Sequence, residues 1–537
     1  MQTKRLVRRK RGTVKLSVTV KRHLERKYKP DALKQIDAAI QAWINADAKK
    51  RGICTVHVAV DDSAAMLQVW RDYFPEAPRV RPVLGRVTAR KIKRVIDDLW
   101  EQLAPDYLVL FGGTDIVPMF VVDNPNYSAK GDDDKKVSTD SPYASSFPSY
   151  LVPDRVMGRI PDVVSDRDPA WLVDYLATAT SWKSKRASFY RDTYAICCDQ
   201  WRYPGKKCMQ YIPKPVSELF ISPPTRDILT SARNRLSARL HMIQCHGSPK
   251  DTSFYGKKDS GRFFQAITSA TLRPRLKPAT VVATGCCYGA QVFSPKDPHA
   301  KKRGQWPMAS TYLRKGAFGF VGSTMITLHD PFNMLLADSI VAEYLHSVLS
   351  GASIGRAFLD AKQIYLRRLI FQQHYGLDAG DEKTLIEYVL LGDPSIHPII
   401  IGQRRAIALA AEDRELRRVV RKLEALQIRQ LLPKRARATP SRAMAKKVFT
   451  SAQLALNKHV IKELKEFRIK PTAVRVQKVD TPLHAEGEAR KAPRQSLEYH
   501  WSGRQVRGGQ KQIRVLKAET DLDGNLLPQR TTVIYSS

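Results

Sequence analysis

The chain contains no run of about 18 or more apolar residues, the length a membrane-spanning helix requires, so no helical span is expected. Its opening, MQTKRLVRRKRG, lacks the apolar core of a secretory signal, and a cytoplasmic protein is the expectation. Cysteine is scarce, at 7 of 537 residues. Two adjacent pairs, Cys197 with Cys198 and Cys286 with Cys287, do not form the spaced framework of a disulfide-stapled domain, so reduced thiols are expected. There is no Cys-x-x-Cys pair and no histidine repeat at ligand spacing, which argues against a structural metal. Acidic residues are the largest shortage: 52 Asp and Glu stand against 90 Lys and Arg, a formal charge of +38. This excess goes beyond the needs of solubility and implies an acidic partner. Nucleic acid, anionic lipid and an acidic protein all feel the same long-range attraction. Aromatic residues are sparse around the dense basic patch Arg435, Arg437, Arg442, Lys446 and Lys447, so contact there would be to phosphate rather than to stacked bases.

The length exceeds what one hydrophobic core usually supports, which predicts two packed α/β units with extensions. Residues 1–30 read as a basic arm containing one alternating stretch, Thr13 to Val18. The first unit, 31–190, opens with helical spacing at Leu33, Ile36, Ile40, Trp43 and Ile44 and a buried strand from Ile53 to Val60. A helix over Ala89–Leu103 and a strand over Tyr107–Phe111 repeat the rhythm. Residues 124–150, with the run Asp132 to Lys136, read as a long surface excursion. The second unit, 191–402, places strands at Thr193–Cys197, Leu240–Cys245, Ala279–Thr284 and Ala317–Val321, with helices between and after them. Alternating strands and helices imply mostly parallel sheet covered on both faces. Residues 403–537 form a basic extension with charged helical segments at Arg404–Gln430 and Thr450–Phe467. A final antiparallel pair is expected around Gln512–Leu516 and Thr531–Tyr535, turned at Asp523-Gly524.

Reactive groups stand at two strand ends of the second unit. His246-Gly247 follows one strand and Cys286-Cys287-Tyr288-Gly289 follows another. Ligands of parallel sheets bind beyond the carboxyl ends of the strands, and a thiol with an imidazole at that place is the pair that nucleophilic catalysis needs. Glycine after each group lets a peptide backbone approach, and the Gly247 and Cys286 amides are the candidate oxyanion donors. This chemistry requires no cofactor.

Six ordered segments resemble the gingipain-type, caspase-fold cysteine peptidases over roughly residues 50 to 400. They are Asp106 to Gly113 with Ile116-Val117-Pro118; Asp140-Ser141-Pro142-Tyr143 leading to Asp154 through Pro161; and His246-Gly247-Ser248. Cys286 to Gly289, Gly316 to Ser323 and Tyr388 to Ser395 complete the set. The resemblance implies a three-layer caspase-like α/β sandwich in two adjacent subdomains, the second catalytic, and endopeptidase activity through a Cys-His dyad. His246 is the implied base. The family spacing Cys-x-x-Gly counts back from Gly289 to Cys286, whereas caspases proper carry Cys-x-Gly, which points to Cys287. Cys286 is the expected nucleophile, with Cys287 and Cys245 packed in the core. Asp140, Asp154 and Asp162 are candidates for a substrate pocket selecting Arg or Lys. The alternative from a different class is a catalytically silent scaffold that binds nucleic acid, or another acidic partner, through its basic extensions.

Overall fold

A computed structural model describes residues 12–128, 132–146, 150–213, 218–258, 262–330, 332–369 and 377–400, together with four strands between 475 and 535. The helical segments expected at Arg404–Gln430 and Thr450–Phe467, and the Asp523-Gly524 turn, lie outside these residues.

The apolar periodicity produces the elements it predicts. The helix Pro30–Arg51 buries Ile36, Ile40, Trp43 and Ala46 on one face and ends at Gly52, whose φ of 64° suits a residue without a side chain. The helix Ala89–Leu103 buries Ile92, Val95, Ile96, Leu99 and Leu103, and the Thr88 side chain caps its start by accepting from the Lys91 amide. In chain order the strands are β1 (Thr13–Thr19), β2 (Ile53–Ala59), β3 (Tyr107–Phe111), β4 (Phe120–Asp123), β5 (Lys136–Thr139) and β6 (Met157–Ile160). Then come β7 (Thr193–Cys198), β8 (Leu219–Ser222), β9 (Leu240–Gln244), β10 (Ser253–Gly256) and β11 (Phe264–Thr268), followed by β12 (Val281–Thr284), β13 (Gly319–Ser323) and β14 (Tyr388–Gly392).

Ten of these strands make one sheet in the order β2-β1-β3-β6-β14-β13-β12-β9-β7-β8. Every neighbouring pair is parallel except β13 with β14. The sheet is thus two parallel halves of opposite direction, joined at one antiparallel seam. The carboxyl ends of the second half therefore emerge at the rim opposite to those of the first. Strands from both of the expected α/β units lie in this one sheet, and β14, from the end of the second unit, runs with the first half and pairs with β6.

Two features depart from the sequence reading. The segment assigned to a basic arm supplies β1, an interior strand with six of its seven residues buried. Its Lys15 is fully buried and bridges Asp47 and Asp393, each at 2.7 Å. The supposed surface excursion is also largely internal. β5 pairs with β4, and Asp132, Thr139, Asp140, Ser141 and Tyr143 are buried. Their polarity misleads because each finds a buried partner: Asp132 meets Lys383, Asp140 meets Arg159, and the Thr139 hydroxyl donates to the Ile386 carbonyl.

The chain forms two compact units, and the ten-stranded sheet belongs to the first. The second holds an antiparallel sheet of β15 (Arg475–Thr481), β16 (Arg494–Gly503), β17 (Gln512–Glu519) and β18 (Arg530–Tyr535), in that order. The expected terminal pair is β17 with β18. No described helix is long and apolar enough to cross a membrane.

Candidate active site

β9 and β12 are parallel neighbours, with Thr284 beside Ile243, so the residues just beyond them reach the same rim. Three further steps along each chain arrive at His246 and Cys287. β7, on the other side of β9, delivers Gln200 and Trp201 to that rim.

His246 is held by its backbone and its ring. Its amide and carbonyl both pair with Tyr255 of β10, at 2.8 Å each. Its Nε2 lies 2.9 Å from Gln200 Oε1, an acceptor, so Nε2 carries the proton and Nδ1 keeps the lone pair. The Trp201 ring lies 4.4 Å from the imidazole, and Phe263 meets it edge-on. Burial, aided by the neighbouring His329 and Lys257, pushes the His246 pKa down to about 4.

The two cysteines of the doublet face different ways. Cys286 is fully buried, and its sulfur accepts the Cys245 amide at 3.3 Å and approaches the Ile243 carbonyl at 3.6 Å, both on the β9 side. Burial raises its thiol well above the usual range. Cys287 is partly exposed. Its sulfur accepts the Thr327 amide at 3.3 Å, and its thiol approaches the Thr327 carbonyl at 3.6 Å. Burial lifts this thiol to about 11, against the pull of the Thr327 amide. Gly247 is obligatory here: a Cβ would stand 1.9 Å from the Cys287 carbonyl oxygen. The doublet thus offers one thiol fully buried against β9 and one, in a partly exposed residue, set against the Thr327 backbone.

A second imidazole sits below the turn. His329 stacks on Trp201 at 3.9 Å, its Nδ1 lies 3.0 Å from Asp338, and its Nε2 lies 2.6 Å from the Gly285 carbonyl. Both ring nitrogens are occupied, so His329 braces the nucleophile turn rather than offering a base.

The three candidate pocket carboxylates have other employment. Asp140 forms a two-pronged pair with Arg159, at 2.8 and 2.6 Å, inside the sheet. Asp162 accepts from Lys27, Tyr28 and the Gly113 amide. It follows β6, whose direction sends it to the rim opposite His246. Asp154 accepts the Ser146 amide at 2.7 Å at the surface. None of the three contacts Cys286, Cys287 or His246. The acidic groups that do approach the nucleophile turn are Asp134, bonded to the Tyr288 hydroxyl, and Glu387, bonded to the Thr327 hydroxyl.

Sequence reasoning missed Gln200, Trp201, Thr327, His329 and Asp134. Gln200 and Trp201 follow a strand of the catalytic half, so the strand-end rule that found His246 applies to them too. Nothing in the sequence marks the other three, which reach the site through loops. Among the described residues, no group of three His, Cys, Asp or Glu side chains is arranged to hold a metal ion.

No curated protein matches the chain. The model of Peptidase family C25 matches residues 32–399, which spans both halves of the sheet and every residue of the His246–Cys287 rim. With that match over most of its length, and with a histidine and a cysteine pair delivered to one rim by adjacent parallel strands, the chain belongs to peptidase family C25, the gingipain family of cysteine peptidases.

Proposed function

We propose that the endopeptidase reaction runs through Cys287 as nucleophile and His246 as base, with Gln200 orienting the imidazole. The observation that carries this reading is the opposite facing of the doublet. The Cys286 sulfur is turned into the β9 backbone in a fully buried residue, whereas Cys287 is partly exposed and its backbone packs against Gly247. A nucleophile must reach a substrate carbonyl, and a fully buried sulfur does not.

The resting pair is a neutral thiol beside a neutral imidazole, because burial raises the one and lowers the other. His246 Nδ1 takes the thiol proton as sulfur attacks the carbonyl carbon. The Gly247 amide, with that of Cys287, supplies donors for the oxyanion, and the imidazolium returns its proton to the leaving amine. Water then releases the acyl group from sulfur. Every step uses side chains and amides of this chain. Seven unpaired thiols fit a reducing, intracellular setting for a regulated peptidase.

The test is covalent labelling with peptidyl acyloxymethyl ketones bearing basic, acidic or apolar groups next to the ketone, followed by peptide mapping. Wild type and Cys286→Ala should be labelled at residue 287, while Cys287→Ala and His246→Ala should not be labelled. Labelling of Cys286 in the Cys287→Ala protein would return the nucleophile to Cys286. Silence of the wild type against every probe would favour the scaffold reading.

A further inference from the structure

The residue after the rim thiol has an unusual backbone. Tyr288 has φ of +54°, a left-handed conformation that a residue with a side chain avoids unless its surroundings impose it. Two contacts impose it here. Its amide donates to the Met325 carbonyl at 2.8 Å, and its hydroxyl donates to Asp134 Oδ1 at 2.7 Å. The other oxygen of Asp134 accepts the Ile326 amide at 2.8 Å. Ile326 is followed by Thr327, whose amide is the one that meets the Cys287 sulfur. A single carboxylate therefore holds both sides of the thiol: the turn that carries it and the segment that faces it.

Asp134 is itself fixed from behind. Its carbonyl accepts the Asn124 side-chain amide at 2.7 Å. Asp132 pairs with the fully buried Lys383, which also lies 4.0 Å from Asp134 and 3.8 Å from Glu387. Glu387 accepts the Thr327 hydroxyl at 2.8 Å, so the chain of contacts closes on the segment where it began. A closed ring of buried contacts of this kind limits how far any one member can shift, which is what a reacting geometry requires of its supports.

We infer that Asp134 is a positioning residue for the peptidase reaction, holding the Cys287-Tyr288 turn and the Met325–Thr327 segment in register so that thiol and oxyanion donors stay aligned. The inference rests on Cys287 as nucleophile. It assigns a role in catalysis to a loop of the first half of the sheet, which otherwise carries none of the reacting groups. The requirement is for two acceptor oxygens on one side chain. Asparagine provides one, and alanine provides none.

The experiment compares full-length wild type with Asp134→Asn, Asp134→Ala, Tyr288→Phe and the Asp134→Ala/Tyr288→Phe double variant. Two rate constants are read at residue 287: labelling by the peptidyl ketone that reacts fastest with wild type, and alkylation by iodoacetamide. The ketone must be held at the oxyanion donors and iodoacetamide need not be. Ketone labelling should fall by about 10- to 100-fold in Asp134→Ala, the loss that follows a misplacement of about 1 Å, with iodoacetamide changed by about twofold or less. Asp134→Asn should lie between wild type and Asp134→Ala. The double variant should lose little more than Asp134→Ala, because the two side chains act through one bond. A merely structural role would lower the fraction of labelled molecules and leave the rate constant of the remainder at the wild-type value, and that result would overturn the inference. Wild-type labelling at Cys286 instead of Cys287 would remove the nucleophile assignment on which it rests, an outcome distinguishable because the mapped site itself moves.

Discussion

Two neighbouring cysteines differ more in surroundings than their identity suggests, because one step along an exit turn changes which way a side chain points. The consequence is measurable in pH. With the His246 pKa pushed down to about 4 and the Cys287 thiol up to about 11, both partners are neutral at neutral pH. The imidazole is able to accept a proton only when unprotonated, so peptidase activity should persist through mildly acidic pH and disappear as pH falls through about 4. The thiol has the opposite sign. Its reactive form appears on deprotonation, so alkylation of the resting enzyme by iodoacetamide should climb steadily from neutral pH toward about 11. A rate that is flat from pH 5 to 9 would instead indicate a preformed thiolate–imidazolium pair. The need for an imidazole and a thiol was readable from His246-Gly247 and Cys286-Cys287. Which sulfur reaches the rim was not, since it depends on the Cys245 amide and Ile243 carbonyl, contributed by the neighbouring strand.

Among the elements, β1 shows how composition misleads. A lysine-rich opening suggests a solvated arm, yet Thr13–Thr19 lies between β2 and β3, and Lys15 is buried between two carboxylates. The Trp43 indole also donates to Asp393, at 2.9 Å. One cation thus ties β1 to the long helix and to the turn after β14. Replacing Lys15 with methionine should cost about 3–5 kcal/mol, because Asp47 and Asp393 would remain charged and buried without it. Urea unfolding measures this, and a loss below about 1 kcal/mol would mean the pair is hydrated or protonated. The helices Pro30–Arg51 and Ala89–Leu103 were legible because a 3.6-residue period needs only local sequence. The pairings of β1 and β5 were not, since their partners lie far along the chain.

For the whole molecule, the antiparallel seam at β13 and β14 determines which residues share a rim. It brings Glu387 beside Thr324, with the Thr324 amide donating to its carbonyl at 3.0 Å, and it sends Asp162 to the far side. All groups assigned to catalysis or positioning fall in the compact unit that contains the ten-stranded sheet. A chain ending at residue 406 should therefore keep ketone labelling and a cooperative unfolding transition like that of the full chain. Loss of labelling in a truncated protein that still unfolds cooperatively would give the basic extension a direct part in the reaction.

By itself the sequence determined the α/β class, the alternation of helix and strand, and the family. Each of these rests on local periodicity or on short motifs whose residues are neighbours in the chain. It also indicated that a histidine and a cysteine reach one rim, because parallel strands deliver their carboxyl ends to the same side. Only the tertiary structure decided that the Cys286 sulfur lies against β9, that Gln200 bonds to His246 and Asp134 to Tyr288, and that Asp140 and Asp162 are bound elsewhere. The physical reason is the range of the interactions. A hydrogen bond or buried ion pair is decided by partners within about 3 Å in space, and in this chain those partners lie tens to hundreds of residues apart.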